Sequence, residues 1–141
     1  MSVPEHLWRF PTADAIASLA NRLGVPHHPS MQDWEWEIAD PDRIDEYLSL
    51  YRDGGLTDDE RFTLMETILQ SFEDLDADLT SDPRWLAVLD WLDRDVELHA
   101  HSIWYWADLE NELFSECWRV SAYMRKIVNC HASRLCPQEF E

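Results

Sequence analysis

The chain reads as a mainly α-helical protein, a single compact domain of about five to six helices, and three observations carry that reading. Apolar residues recur at three- and four-residue spacing along most of the length. Capping residues stand at the edges of those periodic stretches. No repeat, low-complexity tract or linker interrupts the 141 residues, so residues 1–141 are read as one domain, a length typical of one.

The first helix is expected over residues 13–23. Thr12 can cap it, Gly24 sits where a left-handed residue closes a helix, and Ile16, Leu19, Ala20 and Leu23 form the apolar face. In the second, over 41–53, Asp40 caps, Pro41 suits the first helical position, and Ile44, Tyr47, Leu48 and Tyr51 recur before Gly54-Gly55. The third, over 58–73, is the best marked. Thr57 through Glu60 has the form of a capping box, acids occupy the first turn where the helix dipole favours them, and Phe62, Met65, Ile68, Leu69 and Phe72 follow. Asp82-Pro83 opens a fourth helix over 83–93. A fifth over 95–107 carries Val96, His99, Ile103 and Trp106, and a last over 121–132 carries Met124, Ile127 and Val128.

Two short stretches have the other period. Trp34, Trp36 and Ile38 alternate with Glu35, Glu37 and Ala39, which reads as a strand, with a single helical turn joining Trp34 to Ile38 as the alternative. Phe114, Glu116, Trp118 and Val120 alternate as well, so a short two-stranded β element is expected around 34–38 and 114–120.

Charge is the strongest functional signal. Residues 33–116 hold twenty-five Asp and Glu against five Arg and no Lys, a balance of −20 in a protein of net charge −18. So one-sided a field opposes compaction by self-repulsion, and its natural use is to steer a basic partner into contact. With 45% hydrophobic residues and eight Trp the chain is nonetheless globular rather than disordered.

Several chemistries lack their residues. Three Gly leave no glycine-rich loop to cradle a phosphate. Asp74, Asp76 and Asp78 open like a calcium-binding loop, yet its sixth and twelfth positions, which need Gly and Glu, hold Leu79 and Trp85. His99, His101, His131, Cys117, Cys130 and Cys136 show no paired ligand spacing, so no metal or other cofactor is expected. His99 is expected in the core near Asp95, and His101 toward solvent. Ser102, Ser115 and the cysteines lack a nucleophile elbow, and among twenty-nine acids any spacing of two arises by chance, so no catalytic residue is nominated and the chain is not expected to be an enzyme. The N-terminus has no basic and apolar leader and no run is long enough to span a membrane, and the three cysteines are read as reduced thiols, which together place the protein in the cytoplasm.

The stretch Leu56 to Glu66, continuing through Ser71-Phe72-Glu73-Asp74, resembles a segment of small acidic bacterial proteins, followed as here by Trp85, Leu89, His99 and Tyr105-Trp106 and preceded by Trp34 to Ile38 and Asp40-Pro41. Over about residues 33–127 the chain is similar to the immunity proteins that bacteria make against toxins. That resemblance implies a binder that blocks a basic toxin, such as a nuclease, and it implies no catalytic residues. The partner-binding candidates are Asp58, Asp59 and Glu60 at a helix start, Asp74, Asp76 and Asp78 in a loop, and Trp91 and Trp104, which fall off the apolar stripes and are read as exposed contact residues. No direct nucleic-acid or membrane partner is expected. Two rival readings of the same charge are a DNA mimic that occupies a nucleic-acid-binding protein and a generic acidic adaptor domain.

Overall fold

The computed structural model describes residues 2–136. Among them are seven α-helices, α1 (Ala13–Leu23), α2 (Trp34–Glu37), α3 (Ile44–Asp53), α4 (Asp58–Asp74), α5 (Pro83–Arg94), α6 (Val96–Ala107) and α7 (Ser121–Leu135), with 3-10 turns at Glu5–Leu7, Pro41–Arg43 and Phe114–Glu116. The protein is mainly helical, as its periodicity requires. Its helices group into two compact units. The central unit is Phe10–Ala77, and the terminal unit joins the residues up to Arg9 with those from Asp78 onward.

In the central unit the caps form as the sequence prescribes. Thr12 Oγ1 accepts from the Ala15 N–H at 3.1 Å, and Gly24 closes α1 in the left-handed region at φ 67°. At α4 the capping box is complete: Thr57 Oγ1 accepts from the Glu60 N–H at 3.2 Å while Glu60 Oε1 accepts from the Thr57 N–H at 3.0 Å. Such a cap contributes about 1 kcal/mol. Asp40 caps the next segment through the Asp42 N–H, although the expected helix over 41–53 opens as a 3-10 turn and becomes α-helical only from Ile44.

Helix α4 is the centre of this unit, packed by α1, α2 and α3. Every residue from Phe62 to Leu69 is buried, along with Ser71 and Phe72. Its polar members are buried because each has a partner. Thr67 Oγ1 donates to Glu35 O at 2.6 Å, Ser71 Oγ donates to Thr67 O at 2.7 Å and accepts from the Asp40 N–H, and Thr63 Oγ1 donates to Asp59 O at 2.8 Å.

The terminal unit repeats that plan around α6, against which α5, α7 and the Glu5–Leu7 turn pack. Val96, His99, Ala100, Ser102, Ile103, Trp104, Trp106 and Ala107 are all buried, which leaves α6 with almost no polar face. A helix apolar on nearly every side belongs inside its bundle. Trp85 on α5 is fully buried and meets Tyr123 on α7 edge to face, with ring centroids 5.4 Å apart.

The β element is a correction: no strand occurs among the described residues. Residues 34–38 take the helical turn instead. The N–H groups of Trp36 and Glu37 both bond Asp33 O, at 2.9 and 2.8 Å, and Ile38 N–H bonds Trp34 O at 3.1 Å. A helical turn satisfies its own backbone, whereas a strand needs a neighbour's ladder. The stretch that was to supply that neighbour lies in the other unit, where it forms the 3-10 turn at Phe114–Glu116 and a turn closed by Ser121 N–H on Trp118 O.

Candidate functional site

The acidic residues divide by environment. Of the twenty-five in 33–116, seventeen are exposed, and the five Arg of that stretch each pair with a carboxylate no more than four residues away: Arg43 with Glu46, Arg52 with Asp53, Arg61 with Asp58, Arg84 with Asp82 and Arg94 with Asp90. Local pairing of this kind consumes the cations without neutralising the remainder of the surface. Exposed pairs themselves contribute little, about 0–1 kcal/mol each.

The nominated acids fall into three situations. Asp58 and Asp59 are exposed in the first turn of α4. Glu60 is buried, held by the capping box and by the Ser18 hydroxyl at 2.6 Å, so it braces α1 on α4. Asp74, Asp76 and Asp78 are exposed. The length of α4 separates Asp58 from Asp74 by about 24 Å along the axis, so these two groups are not brought together. Asp78 and both tryptophans belong to the terminal unit. Trp91 is half-buried, and Trp104 is buried at 7% exposure, so its reading as an exposed contact residue is corrected. The stripe drawn through Val96, His99, Ile103 and Trp106 missed it because α6 is covered on nearly all sides.

Three buried carboxylates stand apart from the field, all in the central unit: Glu35, Glu60 and Glu66. Glu66 accepts from the Trp36 indole N–H at 2.8 Å. Burial pushes the Glu35 carboxyl above the ordinary carboxylate range, its own backbone N–H partly opposes this, and the charges of Glu66, Asp33 and Glu37 add to the rise. Glu60 is the opposite case, held below that range by the Ser18 hydroxyl first and the Thr57 N–H second. The signs give a test. A raised group stabilises fully below its unfolded pKa, and that contribution is lost as pH rises through the folded value. Glu35→Gln should accordingly be more stable than the parent at pH 7, with the advantage vanishing near pH 3. Glu60→Gln should be less stable at pH 7, with the deficit shrinking in acid. Urea titrations across pH read both, and a Glu35→Gln advantage that persists unchanged at pH 3 would refute burial of its charge as the cause.

An aromatic cleft of about 390 Å³, marked by no motif in the sequence, lies in the terminal unit. The C-terminal half of α6 supplies His101, Trp104 and Tyr105 to it, Asp108 and Glu110 follow, and Trp118 returns from the loop. Trp118 stacks on Tyr105 with centroids 5.2 Å apart and planes 29° from parallel, and also tilts onto Trp106 at 4.9 Å. Tyr105 and Trp118 are exposed at 45% and 36%. His101 is half-buried and meets Trp8 edge to face, rather than standing free in solvent.

Arg125 on α7 anchors this loop. Its guanidinium donates to Ala107 O at 2.7 Å, Asn111 O at 2.9 Å and Asp108 O, and Nη2 lies 3.3 Å from Cys117 Sγ. Asp108 ends α6 in the left-handed region at φ 50°, a conformation Asp tolerates better than most residues. Ser121 Oγ adds a 2.7 Å bond to Trp106 O. The cleft is therefore built on fixed supports.

A second cleft, of about 320 Å³, lies in the central unit at the starts of α1 and α4, but its polar members are already engaged with one another through Ser18, Glu60 and Thr57. Cys117 is half-buried, Cys130 is exposed, and Cys136 is buried with its thiol donating to Ser2 O at 3.7 Å. Among the described residues no group of three or more His, Cys, Asp and Glu could hold a metal ion, and no helix is long and apolar enough to cross a membrane. His99 is fully buried with its backbone N–H on Asp95 O, and His131 pairs with Asp93 at 2.7 Å. Comparison with known proteins adds no relative: no family model, curated protein or solved structure matches the chain.

Proposed function

We propose that the protein is an immunity-type binder that acts in the cytoplasm, occluding a basic toxin such as a nuclease and carrying out no reaction of its own. The observation that carries this reading is the exposed, locally unneutralised carboxylate surface of residues 33–116. Carboxylates kept for structure are buried and hydrogen-bonded, as Glu60 and Glu66 are, whereas the majority here face solvent. Opposite-charge steering raises association rates by roughly 10- to 1,000-fold at low salt.

The experiment is binding to the product of the adjacent gene, since immunity genes sit beside their toxins. Association should be fast at 0.01 M salt and slow steeply toward 0.1 M, as the Debye length shrinks from ~30 to ~10 Å. Replacing Asp74, Asp76 and Asp78 together by Asn should lower the on-rate several-fold and leave the off-rate nearly unchanged, because exposed charges act before contact. An adjacent product that is not basic and shows no binding at micromolar concentration would defeat the reading.

A further inference from the structure

We infer that the cleft walled by Tyr105 and Trp118 receives an arginine side chain of a basic protein partner. The inference deepens the proposed function and rests on it for the partner's identity, while the chemistry of the occupant comes from the cleft itself.

Two exposed rings stacked at 5.2 Å form one wall. Aromatic faces carry negative quadrupolar charge and attract a cation laid over them, and the planar, weakly hydrated guanidinium suits such a face better than an ammonium does. Asp108 and Glu110 line the same cleft, and the segment 108–116 carries Asp108, Glu110, Glu112 and Glu116 with no cation. A carboxylate within reach of the rings supplies the acceptor that the guanidinium fork requires. Arg125 is directed at the backbone carbonyls of Ala107, Asp108 and Asn111 and so supports the loop. A bare anion is disfavoured here, because the carboxylates of Asp108 and Glu110 line the cleft. An uncharged apolar segment would offer no donor to the Glu110 carboxylate, whereas Asp108 already accepts from the Asn111 side-chain amide at 3.3 Å.

The test separates this site from the general acidic field by comparing probes of equal charge. A tetra-arginine peptide and a tetra-lysine peptide, at 0.15 M salt, experience the same net charge of the protein. Tetra-arginine should bind several-fold more tightly and shift the Trp118 indole resonance. Trp118→Ala and Tyr105→Ala should each reduce tetra-arginine affinity by roughly 2- to 30-fold, the range of exposed to desolvated cation–π contacts, and should remove the arginine preference. Both side chains are exposed enough for truncation to preserve the helical circular dichroism spectrum. Should either variant unfold, Glu110→Gln and Asp108→Asn provide the same comparison by weakening arginine binding. The triple Asn variant at Asp74, Asp76 and Asp78 should weaken both peptides alike and keep the preference. Equal affinity of the two peptides, or a preference that survives both aromatic truncations, would overturn the inference. Retained arginine preference with no binding to the adjacent gene product would instead reject the toxin reading and leave the cleft standing.

Discussion

Trp34→Ala should destabilise the protein by about 3–5 kcal/mol, the cost of removing a large aromatic from a core that cannot collapse around the void. Trp34 is 1% exposed on a four-residue helix, and its indole N–H donates to Pro26 O at 2.8 Å while its ring meets His27 edge to face. So short a helix has little stability of its own and is held by its contacts, chiefly with α4. Losing Trp34 removes the contact that keeps α2 in place, and the loop 25–33 loses its anchor with it. Trp34→Phe separates the two contributions. Much of the ring volume stays while the bond to Pro26 and part of the indole go, so a smaller cost of about 1–2 kcal/mol is expected. Guanidinium denaturation of both variants measures the difference. If Trp34→Ala costs no more than Trp34→Phe, packing at this position is not what holds α2.

The same segment marks the limit of what was legible in the sequence. Alternation over five residues is a period-2 signal too short to compete with backbone satisfaction, and with no neighbouring strand the helical turn wins. The long elements were legible because their signals agree. At α1 the cap, the apolar spacing and Gly24 all give one boundary, and α4 and α5 end within one residue of expectation. What sequence periodicity underestimates is burial on helices at the centre of a bundle. The stripe through Phe62, Met65, Ile68, Leu69 and Phe72 leaves out Thr63, Glu66, Thr67 and Ser71, which are buried too: Thr63 and Ser71 bond carbonyls one turn back in α4, while the fold brings Trp36 to Glu66 and Glu35 O to Thr67. Such partners lie up to 32 positions away and leave no local mark. Glu60 shows the reverse problem. It looks like part of an acidic surface in sequence, and only the Ser18 hydroxyl reveals it as a brace.

The aromatic cleft was invisible for a related reason. Tyr105 and Trp118 are thirteen positions apart and meet only because the loop after α6 reverses, and that reversal is held by Arg125, a residue with no motif around it. Partition of the helices into two units was equally silent, since Arg9 to Pro11 and Ala77 to Asp78 show no change in composition.

Arg125→Met should cost about 3 kcal/mol and lower the melting temperature by roughly 10 °C for a chain of this length. Hydrogen bonds from a charged donor contribute about 1.5–3 kcal/mol each, and removing one guanidinium takes away several that act as a unit, so the sum is smaller than three separate losses. Met preserves much of the aliphatic stem, which isolates the polar contribution. Arg125→Lys should recover less than half, because a single ammonium cannot reproduce a planar fork aimed at Ala107 O, Asp108 O and Asn111 O together. The loss should be visible at the cleft before global unfolding. With the Asp108 and Asn111 carbonyls released, Trp118 should loosen from Tyr105, its fluorescence should become more accessible to acrylamide, and tetra-arginine should lose its advantage over tetra-lysine. A variant that is destabilised as expected but keeps both the quenching profile and the peptide preference would show that Arg125 supports the helix end alone, and that the cleft owes its shape to the packing of Trp118 against Trp106.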